Sequence, residues 1–211
     1  MAQLSKDLHR FFIEEPPTNQ VTLTAVLQLA GERTFGFLFV LLALPSALPV
    51  PAAGYSVPFG IVILLLAVQL IVGAKTPWLP LRLMNHAIPL SRVQGLVKSG
   101  LPWMRRIEQF SKPRMTPICT SRAGRAMIGL TIALMAISMM IPIPGTNTLP
   151  AIGIFVTGFG LLDDDGVISL AGMGVCLMGA TLTLSILYAL AVGGTSLYDW
   201  FRTSLKGLMG R

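Results

Sequence analysis

A few clusters of residues in this chain have types and spacings that could do chemistry. Glu32 and Arg33 stand side by side where the first apolar run begins, and Asp163, Asp164 and Asp165 follow one another where a later run ends. Between two further apolar stretches lies IPIPGTNTLPAIG, with Thr146, Asn147 and Thr148 set among prolines and glycines. The earlier ALPVPAAGYSVPFGI places Tyr55 and Ser56 in the same way. A Glu–Arg pair at membrane depth can bind an ion or a phosphate. The plainer reading of Glu32 and Arg33 is a charge pair at a helix start, in the interface. Three acids in a row could gate a proton or a cation, but consecutive side chains cannot all face one way. The expectation for them is a solvated cap, with Asp at the start of the next helix. Gln69, deep in an apolar run, is expected to bond between helices.

None of these clusters is a catalytic constellation. There is no nucleophile elbow, no phosphate-cradling glycine loop ending in Lys and no paired-His zinc motif. His9 and His86 are too scattered to hold a metal. Cys119 lies in a basic loop and Cys176 in an apolar segment, so no disulfide is expected. The residues point to a non-enzyme without cofactor or metal.

The elements that must position these residues are apolar. The 211-residue chain is 53% hydrophobic and 12% charged, against about 25% charged for an ordinary soluble domain. Residues 34–74, 126–162 and 166–198 carry no charge at all. A spanning helix needs about 20 mostly apolar residues, and helices satisfy their backbone groups internally. The expected fold is therefore an all-α integral membrane protein. The amino-terminal stretch has acids and no apolar h-region, so the first apolar run is expected to be retained. Residues 1–32 read as cytoplasmic or interfacial helices. Residues 75–125 hold ten basic residues against Glu108 alone. That bias places this connector in the cytoplasm. Its mixture of Trp, Leu and Met with Lys and Arg suits amphipathic segments on anionic lipid rather than nucleic acid. Arg202, Lys206 and Arg211, in a tail of residues 199–211, argue for a cytoplasmic carboxyl terminus.

A shift of 93 residues lays the first apolar run on the second. Gly36 meets Gly129, Pro49 and Pro51 meet Pro142 and Pro144, and Gly60-Ile61 meets Gly153-Ile154. Shared hydropathy does not align Pro-x-Pro and several glycines in one ungapped frame, so the chain reads as a duplication. Residues 33–74 form one Pro-broken hairpin, residues 126–165 the other, and residues 166–198 a further membrane segment of one tilted span or two short helices. Segments of about 15 residues reach only about 23 Å as helices, short of a bilayer core of about 30 Å. Re-entrant hairpins fit that length; tight external turns are the alternative, since Pro, Gly and Asn dominate ordinary turns as well. If the hairpins re-enter, helices starting at Pro58 and Pro150 would point positive ends at one cavity. Tyr55, Ser56, Thr146, Asn147 and Thr148 would supply neutral donors there, and Arg33 and Arg125 the first attraction at the rim. Gly172, Cys176 and Ala180 form a small-residue stripe for close packing within the chain or across a homo-oligomer.

The segments GERTFGFLFVLLALPSALPVP, PWLP and PIPGTNTLPAIGIFVTGFGLLDDDG resemble the ExoD family of bacterial inner-membrane proteins, over about residues 20–195. The resemblance implies a role in exopolysaccharide production. In that family the acidic turn usually reads Glu-Arg-Asp-Gly; here it is Asp163-Asp164-Asp165-Gly166, so the basic member is missing. PIPG followed by LP also resembles the re-entrant motif of DedA-type membrane proteins, linked to polyprenyl-phosphate lipid transport. Together these readings favour a transporter- or flippase-like protein acting on an anionic or lipid-linked species, with a scaffold or regulatory subunit of a polysaccharide assembly complex as the alternative.

Overall fold

The computed structural model describes residues 9–10, 14, 20–21, 33–47, 56–78, 88–141 and 147–209. Among these the architecture is helical. The helices are α1 (Thr34–Ala47), α2 (Ser56–Ile71), α3 (Leu90–Phe110), α4 (Pro117–Thr120), α5 (Arg122–Met140), α6 (Thr148–Leu162) and α7 (Gly166–Met209). The one β feature is a two-residue antiparallel pairing of Gln20–Val21 with Ile88–Pro89. Tyr55, Thr146 and Glu32, and the Pro-x-Pro breaks themselves, lie outside the described residues.

The two hairpins do not pack chiefly on themselves. Instead α1 lies mainly on α6, and α2 mainly on α5. Both pairs are antiparallel. Near the start of α1, a Cβ on Gly36 would stand 2.5 Å from the Leu162 nitrogen and 2.8 Å from the Gly158 oxygen. Near the start of α5, a Cβ on Gly129 would stand 2.8 Å from Ile71 Cγ1 and 3.0 Å from the Ala67 oxygen. Glycines one repeat apart thus make the same kind of close approach, each to the last turns of the other unit's second helix. Hydrogen side chains are what let these backbones meet. The starts of α1 and α5 and the ends of α2 and α6 consequently share one end of the molecule.

Helix α1 is apolar all round, and Phe35 through Val40 and Leu42 through Leu44 are buried, which makes it the central helix. α3 covers part of it. Gly100 of α3 sits against the Leu44 side chain, about 15 Å along α1 from its first residue at roughly 1.5 Å per residue. Leu101 and Met104 are buried, while Trp103, Arg105 and Arg106 remain exposed. The Arg106 guanidinium lies 5.5 Å from the Trp103 ring centroid.

α7 is continuous over 44 residues. It packs on α6 through small residues: Gly172 against Thr157, Cys176 against Gly153 and Gly179 against Pro150. Ser138 on α5 and Thr183 on α7 share a buried hydrogen bond of 2.9 Å. Gly172, Cys176 and the partly buried Ala180 thus face the chain's own core. Arg122–Met140 and Gly166–Ala189 are long and apolar enough to cross a membrane; Thr34–Ala47, Val57–Ile71 and Thr148–Leu162 are shorter apolar helices.

Candidate functional site

The chemistry gathers at the end where α1 and α5 begin. Two arginines approach the carboxyl ends of opposing helices. Arg33, just before α1, donates from Nη1 to the Leu162 carbonyl at 3.0 Å, the last residue of α6. Arg125, in the first turn of α5, donates from Nη2 to the Ala74 carbonyl at 3.0 Å, just past α2. Each cation neutralises the negative end of a helix from the other unit. Both also line one cavity of about 140 Å³, with Phe35, Gly36, Cys119, Thr120, Leu161 and Asp164. The Arg125 guanidinium lies 5.7 Å from the Phe35 ring centroid. Its Nε–H is buried without a partner.

The acidic turn is built into this end. α6 closes with the Asp165 amide donating to the Gly160 carbonyl at 2.8 Å, the long bond of a Schellman motif. Asp164 takes the left-handed conformation that motif needs, with φ 55°, which Asp tolerates better than most side chains. Its carboxylate pairs with Arg33 at 3.0 Å. Asp165 then caps α7, its Oδ1 accepting from the Val167 and Ile168 amides. Its Oδ2 accepts from the Lys112 amide at 2.9 Å and from Arg114 at 3.2 Å. Burial pushes the Asp165 carboxyl up, but these four donors outweigh it and hold the group below the usual carboxylate range. Asp163 differs. It is 9% exposed, and its Oδ1 has no partner. Burial pushes its carboxyl above the ordinary range, opposed by the Ser111 hydroxyl and then by Arg33.

The solvated acidic cap expected from sequence is therefore corrected. Asp165 starts the next helix as anticipated, yet Asp163 and Asp165 are both buried, because the segment after α3 folds over them. Arg33 pairs across the molecule with Asp164. Gln69 does not bond between apolar helices. Its amide closes the exit of α2, exchanging hydrogen bonds with the Trp78 backbone. Asn147 stands at the N-cap of α6 and Thr148 is its first residue; Ser56 is the first residue of α2. These positions and the two arginines lie at opposite ends of the helices. Sequence reasoning missed Arg114 and Ser111, whose proximity to the acids depends on the loop after α3. The prolines and basic residues of that loop gave no sign of it.

Cys119 lines the cavity wall, with Sγ 3.5 Å from the Gly160 carbonyl and 3.4 Å from the Ser169 hydroxyl. Burial pushes its thiol up, which favours the unreactive protonated form. Among the described residues no group of three His, Cys, Asp or Glu could hold a metal.

Among the described residues, two helices have the length and apolarity to cross a membrane and three shorter helices are apolar, which together with a cation-lined polar end is consistent with a helical membrane protein. The chain belongs to the ExoD family: residues 4–185 match the family described as exopolysaccharide synthesis, ExoD. It is 48% identical over 210 residues to an uncharacterized protein of Synechocystis sp., covering 100% of this chain and 99% of that one. It is 29% identical over 187 residues to Protein ExoD of Rhizobium meliloti, covering 87% of this chain and 77% of that one. No solved structure matches it.

Proposed function

We propose that this protein serves exopolysaccharide synthesis in the bacterial inner membrane, as a transporter- or flippase-like protein. It would bind the anionic group of a lipid-linked intermediate between Arg33 and Arg125, on the cytoplasmic side. One observation carries the reading. Arginines from corresponding ends of the two units converge on one cavity, and one of them keeps a buried N–H without a partner. Such a donor in a site of low dielectric favours an oxyanion. Membrane insertion is supported by exposed apolar stripes. Met127, Leu130, Leu134 and Ile137 line one face of α5, and Ile61 and Val68 one face of α2. Two anion sources share the same chemistry, a lipid headgroup and a free phosphate.

A second reading is favoured by the tight contact between units at Gly36 and Gly129. Such close helix packing suits a scaffold that binds the lipid-linked species without moving it. Purified protein in liposomes holding a fluorescent lipid phosphate separates the two. Dithionite-accessible label should increase over protein-free liposomes, and the increase should be lost with Arg125→Gln. Binding without any increase would leave the scaffold. Displacement of label by inorganic phosphate alone would identify the free anion as ligand.

A further inference from the structure

We propose that Asp163 is a proton-binding site linked to the anion cavity through Arg33, so that anion and proton bind together. This rests on the reading of the Arg33/Arg125 cavity as an anion site. A second cavity, of about 60 Å³, is lined by Arg33, Ser111, Lys112, Pro113 and Asp163. Arg33 is common to both cavities. Asp163 is nine-tenths buried, and its Oδ1 has room for a proton and no donor to satisfy it as a carboxylate.

Among the described residues, the charged groups around Asp163 are few. From the α1 side comes Arg33, which draws it toward ionisation; from its own turn comes Asp164, which opposes that. From the loop after α3 the neutral Ser111 hydroxyl bonds the carboxyl. Lys112 of that loop is exposed. Asp165 is engaged elsewhere, with both oxygens bonded to Lys112, Arg114, Val167 and Ile168.

With Asp163 and Asp164 both ionised, two carboxylates compete with an incoming anion for one guanidinium. A proton taken from solvent onto Oδ1 removes one competitor and leaves Arg33 with Asp164 alone. Burial favours the same protonated form. Linkage is reciprocal: if protonation strengthens anion binding, anion binding raises the proton affinity of Asp163. Affinity for the anion must then rise as pH falls through the Asp163 titration.

Sulfate is a suitable probe, because it stays a dianion over the range needed. It is titrated calorimetrically into the full chain in detergent across the whole pH range in which the protein stays folded, in buffers of different ionisation enthalpy. The wild type should bind about tenfold more tightly at the acid end and take up a proton on binding. Asp163→Asn should bind at the tight level throughout, without proton uptake, while Asp164→Asn should keep the pH dependence. Should Asp163→Asn not fold, the wild type still decides. Adding sulfate at a pH just above the midpoint of its binding dependence should produce the infrared carbonyl band of a protonated carboxyl. Binding that is independent of pH, or a pH dependence that survives in Asp163→Asn, overturns the link and leaves the anion site standing. Absence of sulfate binding at every pH overturns both.

Discussion

Asp165 joins three elements at the polar end. It closes α6 through its amide, opens α7 through Oδ1, and ties down the loop after α3 through Oδ2. Asp165→Ala removes a cap, worth about 1 kcal/mol, and leaves the Lys112 amide without its acceptor, at about 1–3 kcal/mol more. A loss of about 2 kcal/mol or more is expected in detergent unfolding of the purified protein; an unchanged midpoint would mean the loop is held by other contacts. The pH dependence has a definite sign. The folded-state pKa of Asp165 is lowered, so its stabilisation is present above the ordinary carboxylate range and is lost as pH falls through the folded value. Wild-type stability should drop in acid below about pH 4, and the drop should be smaller in Asp165→Ala. The sequence made Asp legible as a helix start, because that preference is local. It could not show burial, since three consecutive acids read as solvated until the covering loop is placed. Arg33 was likewise legible as a charge at the start of a helix. Its acceptor, the Leu162 carbonyl, lies 129 positions further along and carries no side-chain signal.

At the scale of elements, the glycines of the repeat set how closely the units meet. Gly36 faces backbone atoms of α6, which cannot move without shifting the helix, whereas the nearest atom to Gly129 belongs to the flexible Ile71 side chain. Gly36→Ala should therefore cost more than Gly129→Ala, within the roughly 1–3 kcal/mol of overpacking. Thermal unfolding of the two variants checks the order, and equal costs would contradict the packing. Both glycines were visible in the sequence as a 93-residue correspondence, and α1 starts where the charge-free run starts. What hydropathy could not supply is which helix each apolar run would choose. The crossed pairing of α1 with α6 and α2 with α5 depends on shape, and any apolar helix would have satisfied the composition. α3 was legible as amphipathic, but not its position beside α1, which depends on Gly100 admitting Leu44.

For the whole molecule, the direction of α7 carries a consequence. Its first residue is tied to the arginine end through Asp165, and it runs on without a break to Met209. At roughly 1.5 Å per residue it is about 66 Å long, twice a bilayer core of about 30 Å. If Gly166–Ala189 crosses the membrane, the carboxyl terminus lies opposite Arg33, against the cytoplasmic side argued from Arg202 and Lys206. A carboxyl-terminal alkaline phosphatase fusion should be active, and a fluorescent protein fusion that folds only in the cytoplasm should be dark; the reverse pattern would mean α7 does not cross. At the arginine end, anion binding can be measured directly. Dodecyl phosphate and dodecanol share a chain and differ in the phosphate, so titrating each into the purified protein isolates the anion. Dodecyl phosphate should bind more tightly than dodecanol, with Arg33→Gln and Arg125→Gln each weakening the phosphate alone by about tenfold, the loss of one charge-assisted hydrogen bond. Equal binding of the two amphiphiles, or phosphate binding untouched by both substitutions, would contradict it.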